Sequence, residues 1–70
     1  MTFENRLDQL LKDRGVSKTA LAKNIGIPET TFYNRRMKTI SSWKFLEFNK
    51  MVKFLRLTDE EVRFLTVDVE

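Results

Sequence analysis

The chain has 70 residues, with 13 Lys and Arg against 10 Asp and Glu and a formal net charge of +3. That length holds one small core, so a single domain over residues 1–70 is expected. The absence of Cys and His excludes disulfide frameworks, thiolate and imidazole metal sites, Ser-His-Asp triads and Cys-His pairs.

A first helix is predicted from near Thr2 to about Arg14. Thr2 caps it, and Phe3, Leu7, Leu10 and Leu11 recur at the 3–4 spacing of a core-facing stripe. Gly15 ends it, and Ser17 caps a second helix over roughly Lys18 to Asn24. Leu21 and Ile25 share one face of that helix, and Ala22 offers a small side chain where two helices cross. Gly26 stops the helix in the left-handed region. Pro28 suits the start of a third helix, over roughly Pro28 to Arg36, and Glu29 suits its dipole. Leu21, Ile25, Ile27 and Phe32 are expected to form a small core between the second and third helices.

Lys38 to Ser42 reads as a loop, with Ser41 or Ser42 capping a fourth helix that ends near Leu55. Phe45, Phe48, Met51 or Val52, and Leu55 form its stripe. Thr58-Asp59-Glu60-Glu61 is a capping box that opens a fifth helix carrying Val62 and Leu65. Val67-Asp68-Val69-Glu70 reads as a frayed end or a short edge strand. The fold class is therefore all-α, a compact five-helix domain with a helix-turn-helix at helices 2 and 3.

Helix, Gly turn and second helix over residues 17–37 are the pattern that lays a second helix in the DNA major groove. The charge distribution agrees. Residues 14–56 carry ten Lys or Arg against Glu29 and Glu47, whereas residues 57–70 carry Arg63 against five acids. One basic face for a polyanion and another turned away from it are implied. Thr30 and Asn34, four apart, share an exposed face, and with Glu29 and Tyr33 they are the expected readers of base edges. Lys23, Arg35, Arg36, Lys38 and Lys44 are the expected phosphate contacts. Arg36 has a second reading, an ion pair with Asp8 or Asp13 of the first helix. Trp43, Leu46 and Phe64 are expected to form a partly exposed apolar patch. It is either a protein interface or the surface that a domain this small cannot cover.

Ser17 through Lys38 resembles the Cro/C1 (lambda-repressor-like) helix-turn-helix family. Ser17-Lys18-Thr19-Ala20-Leu21-Ala22 followed by Ile25-Gly26-Ile27 is similar to that family's Leu-Ala…Gly core. Thr31-Phe32-Tyr33-Asn34-Arg35-Arg36-Met37-Lys38 resembles small regulators of temperate phages of Gram-positive bacteria. The resemblance implies a fold of about five helices. It places Glu29, Thr30 and Asn34 at base-reading positions and Lys18 near the phosphate backbone. Two positions depart from the family pattern. Met37-Lys38 stands where a Gly usually follows the recognition helix, and Glu29 stands where Gln or Ser is frequent. The Glu29 carboxylate repels phosphate, yet it can accept a hydrogen bond from cytosine N4.

The expected partner is a double-stranded DNA operator, bound by a homodimer because one unit buries too little surface for tight specific binding. The expected role is a Cro-like repressor of a phage-type switch. The alternative is a modulator of repression, a protein that binds a phage repressor and has weak or no DNA binding of its own. No cofactor, small-molecule substrate or enzymatic activity is expected, because the chain has no Gly-rich phosphate loop and no convergent carboxylates. Glu4 and Asp8 interrupt the N-terminal apolar residues, so no signal peptide and no membrane association are expected, and the cytoplasm is the expected location.

Overall fold

The computed structural model describes residues 2–67. The helices are α1 (Phe3–Arg14), α2 (Lys18–Ile25), α3 (Glu29–Thr31), α4 (Phe45–Leu55) and α5 (Asp59–Thr66), with no strand among the described residues. α3 runs directly into a π-helical segment, Phe32–Arg36, and a 3-10 turn, Ile40–Ser42, precedes α4. α1 packs against α5, and α2 packs against both α3 and α4.

Local chemistry sets the first two helices. Thr2 Oγ1 accepts from the Asn5 N–H at 3.1 Å, and Ser17 Oγ accepts from the Ala20 N–H at 3.0 Å. Each hydroxyl satisfies one donor that the first helical turn leaves without a partner. Gly15 and Gly26 end α1 and α2 at φ 64° and 79°, a region open to Gly without a Cβ penalty. The next residues, Val16 and Ile27, turn their N–H groups back to Leu11 O at 3.0 Å and Ala22 O at 3.2 Å. α2 extends one residue further than the expected Asn24, to Ile25.

The core gathers Phe3, Leu7, Leu10 and Leu11 of α1, Leu21, Ala22 and Ile25 of α2, then Phe32 and Met37, Met51 and Leu55 of α4, and Leu65 of α5. Ala22 is fully buried, as a close helix crossing demands, and Ile27 packs partly buried against the same cluster.

Three expectations are corrected. The third helix is not a uniform α-helix over Pro28–Arg36, because its second part is π-helical. The fourth helix starts at Phe45 with Lys44 at the capping position, not at Ser41 or Ser42, which lie in the 3-10 turn. Phe45 lies outside the core at 82% exposure. Trp43, two residues earlier, packs against the core instead. That indole meets Phe3, Phe32 and Phe48 edge-to-face at centroid distances of 6.3, 6.3 and 5.8 Å. The helix stripe then continues through Phe48, Met51 and Leu55. In the expected C-terminal segment Val67 forms a bend, and residues 68–70 lie outside the described residues.

Two arginines of α1 tie the C-terminal helices to it. Arg14 Nε donates to Leu55 O at 2.6 Å, and its Nη2 pairs with the Glu61 carboxylate. One guanidinium thus satisfies the end of α4 and joins the start of α5, where negative side chains suit the helix dipole. Arg6 Nη1 donates to Phe64 O at 2.7 Å and Val67 O at 2.8 Å, at the end of α5. Its guanidinium carbon lies 5.2 Å from the centroid of the Phe64 ring. The Thr58 capping box forms as expected: Glu61 Oε1 accepts from the Thr58 N–H at 3.0 Å, and Thr58 Oγ1 accepts from the Glu61 N–H at 3.2 Å.

Glu61 therefore accepts from both Arg14 and Thr58, and these bonds hold its carboxyl at a pKa of about 2 against an ordinary 4.5. A depressed carboxylate pKa contributes stability that is full above the unfolded-state value and disappears as pH falls toward the folded-state value. The melting temperature is expected to hold from pH 7 to about 5 and to fall steadily between about 5 and 2. Glu61→Gln is expected to lower the melting temperature at pH 7 and to flatten that acid limb, as followed by circular dichroism.

Candidate nucleic-acid interface

The geometry of α3 follows from the π-helical turn. The Met37 N–H reaches Phe32 O, five residues back, at 2.9 Å. At the α-helical turn of about 100° per residue, Phe32 and Met37 would point about 140° apart. The wider turn brings Phe32, Arg36 and Met37 to the buried side together. Glu29, Thr30, Tyr33, Asn34 and Arg35 are left on the exposed side. All four expected base-reading residues are thus solvent-facing on one short helical segment. Tyr33 is also braced: its hydroxyl lies 3.3 Å from Thr19 Oγ1 of α2, and its ring packs edge-to-face on Phe32 at 6.0 Å.

The end of this segment is clamped by the chain that follows. Trp43 Nε1 donates to Arg36 O at 2.7 Å, and Ser42 Oγ lies 2.9 Å from Arg35 O. Trp43 thereby satisfies a carbonyl that the segment's end leaves open, whereas Arg35 O also accepts from the Lys38 and Thr39 N–H groups at 3.1 and 3.2 Å. Arg36 points inward, only 8% exposed. Its Nε donates to Glu47 Oε1 at 2.7 Å and its Nη2 to Glu47 Oε2 at 3.1 Å, a bidentate pair. Glu47 Oε1 also accepts from the Lys44 N–H at 3.1 Å and so caps α4. The Arg36 guanidinium, and with it the Lys44 N–H, holds the Glu47 carboxyl below its ordinary pKa of 4.5.

The expected roles of Arg36 are corrected accordingly. The guanidinium placed at phosphate is committed to Glu47, and its acid comes from α4 rather than from Asp8 or Asp13. The pair has no local signature, because eleven residues separate its members.

The remaining cations fall into two groups. Lys23, Arg35 and Lys44 are exposed. Lys18 Nζ lies 3.6 Å from Asp8 Oδ1, and Lys38 Nζ lies 3.1 Å from Glu4 Oε2. The residues of the expected apolar patch differ in exposure. Trp43 and Phe64 are half-buried against the core, and Leu46 is 70% exposed. Phe45, beside Leu46, is the larger exposed apolar group. It lines, with Ile40, Trp43, Lys44, Phe48 and Thr66, a shallow groove of about 320 Å³.

A paired α2 and α3 with a tight Gly turn, α3 side chains facing out, and cations around them are the parts of a DNA-reading unit. A family model for the Cro/C1-type helix-turn-helix DNA-binding domain matches residues 6–62. The chain belongs to this family. No curated protein and no solved structure matches it. In a Cro/C1-type domain α2 and α3 are the helix-turn-helix pair, and the partner is double-stranded DNA. The Met37 departure has a structural account. Met37 sits at φ −67° and ψ −30°, in the ordinary right-handed region, so the backbone there does not require Gly. Its side chain, 1% exposed, fills the core. Among the described residues no helix is long and apolar enough to cross a membrane, and no group of three or more acidic residues is arranged to hold a metal ion.

Glu47→Ala is expected to cost about 3 kcal/mol in urea unfolding, because it leaves the Arg36 charge buried without its partner. Replacing both members of the pair with Met is expected to cost much less than the sum of the two single changes.

Proposed function

We propose that the chain is a sequence-specific, double-stranded DNA-binding transcriptional regulator, a Cro-like repressor in a phage-type genetic switch. The observation that carries this reading is the segregation of the α3 segment. Phe32, Arg36 and Met37 lock it to the core, while Glu29, Thr30, Tyr33 and Asn34 are all exposed. A rigid presentation of polar side chains is what base readout in the major groove needs. Asn34 is the candidate for a bidentate contact to adenine, the Thr30 methyl for thymine, and the Glu29 carboxylate for cytosine N4. Lys18, Lys23, Arg35, Lys38 and Lys44 are the candidates for phosphate. The protein acts as a homodimer on two half-sites about one DNA turn apart.

A second reading is favoured by one observation. Phe45 and Leu46 are 82% and 70% exposed, side by side at the start of α4. Adjacent large apolar side chains on so small a domain suit a protein partner. In that reading the chain is a modulator that binds a heterologous phage repressor.

Fluorescence anisotropy with intergenic duplexes from the protein's own locus separates the two. Tight binding to one duplex, weaker binding to random DNA and a steep salt slope support the regulator; equal and weak binding to both supports the modulator. For the regulator, Asn34→Ala is expected to cost about 1–3 kcal/mol on the specific duplex alone. Arg35→Ala is expected to weaken both duplexes alike and to reduce the salt slope by about one.

A further inference from the structure

α1 lies outside the helix-turn-helix pair, yet two of its carboxylates reach that pair's cations. Glu4 and Asp8 are four apart and therefore share one face of α1. Glu4 takes Lys38, just beyond the π-helical segment, at 3.1 Å, and Asp8 takes Lys18, the first residue of α2, at 3.6 Å. The Thr19–Tyr33 contact at 3.3 Å brings that end of α2 to the same side as α3. These lysines sit at two ends of the DNA-reading pair, and each carries an acid from the same helix face. Both lysines remain accessible, with side chains 56% and 42% exposed, so a phosphate can compete for each of them.

We propose that Glu4 and Asp8 act as internal competitors for DNA phosphate. They lower the sequence-independent part of DNA affinity, and so hold down binding to every duplex by a similar factor. The inference rests on the DNA-binding reading above. In free protein the carboxylates occupy Lys18 and Lys38. On DNA the phosphates must displace them, and the released carboxylates then lie near the phosphate backbone and repel it. Both effects subtract from the electrostatic contribution, which is common to all sequences, and leave base-edge contacts untouched. Asp8 is held below its ordinary pKa of 3.8 by Lys12 first and also by Lys18, so it is charged at neutral pH.

The test is anisotropy with a random-sequence duplex and with the best-bound intergenic duplex, at about 50 mM and about 200 mM salt. Glu4→Gln and Asp8→Asn together are expected to tighten random-duplex binding roughly three- to tenfold at the lower salt. The gain is expected to shrink at the higher salt, and the best-bound intergenic duplex is expected to gain by a similar factor. Glu60→Gln, on the exposed first turn of α5, changes net charge by one without touching either lysine and is expected to do less than Glu4→Gln alone. Lys38→Gln is expected to abolish the gain from Glu4→Gln. Asp8 also pairs with Lys12 within α1 at 3.1 Å, so Glu4→Gln alone carries the test if the double variant loses stability. Unchanged or weaker binding by a folded Glu4→Gln variant, or an equal gain from Glu60→Gln, overturns the proposal while leaving the DNA-binding reading intact. Absence of binding by wild type and variants alike at low salt overturns both.

Discussion

The bidentate contact between Arg36 and Glu47, together with the Trp43 indole over the same carbonyl end, holds the segment on which the rest of the interface depends. α3 is only Glu29–Thr31, followed by a five-residue π-helical stretch. A helix that short does not hold together by its own hydrogen bonds, because the cost of nucleating it exceeds what so few bonds return. Its orientation must come from outside. Phe32 and Met37 anchor it by burial, Trp43 satisfies the Arg36 carbonyl at its end, and Arg36 ties it to the helix that follows. The same carboxylate that receives Arg36 caps α4. Loosening Glu47 therefore disturbs both helices at once.

Arginine does structural work elsewhere in the molecule too. Arg6 and Arg14 close the carbonyl ends of α5 and α4 from a single helix, α1. A domain of 70 residues has little apolar surface with which to fasten its last two helices. Charge-assisted hydrogen bonds to helix ends supplement that burial and act where the dipole favours a cation. The basic balance of residues 14–56 is consequently not a direct measure of DNA-facing charge, since Arg14 and Arg36 belong to the scaffold.

The remaining cations differ in their surroundings. Arg35, Lys23 and Lys44 face outward, while Lys18 and Lys38 are each shared with a carboxylate of α1. In the proposed reading, that sharing weakens the sequence-independent attraction for phosphate and leaves base-edge contacts unchanged.

Much of this was legible in the sequence. Thr2, Ser17 and Thr58 as caps, Gly15 and Gly26 as stops, and the stripes of α1 and α2 are local chemistry, set by residues within a few positions of one another. The helix-turn-helix pair and the five-helix class follow from those signals. Three features were decided only by the assembled fold. Met37 and Arg36 turn inward together because a π-helical turn forms against the core, and no local periodicity encodes that turn. Trp43 rather than Phe45 fills the aromatic cluster, a choice between neighbouring rings that packing volume makes. Arg36 finds Glu47, and Lys38 finds Glu4 from 34 positions away, because tertiary contact brings these charges within reach. Capping and periodicity act over three or four residues and are written along the chain. Ion pairs and core occupancy depend on distances in space, which only the packed helices determine.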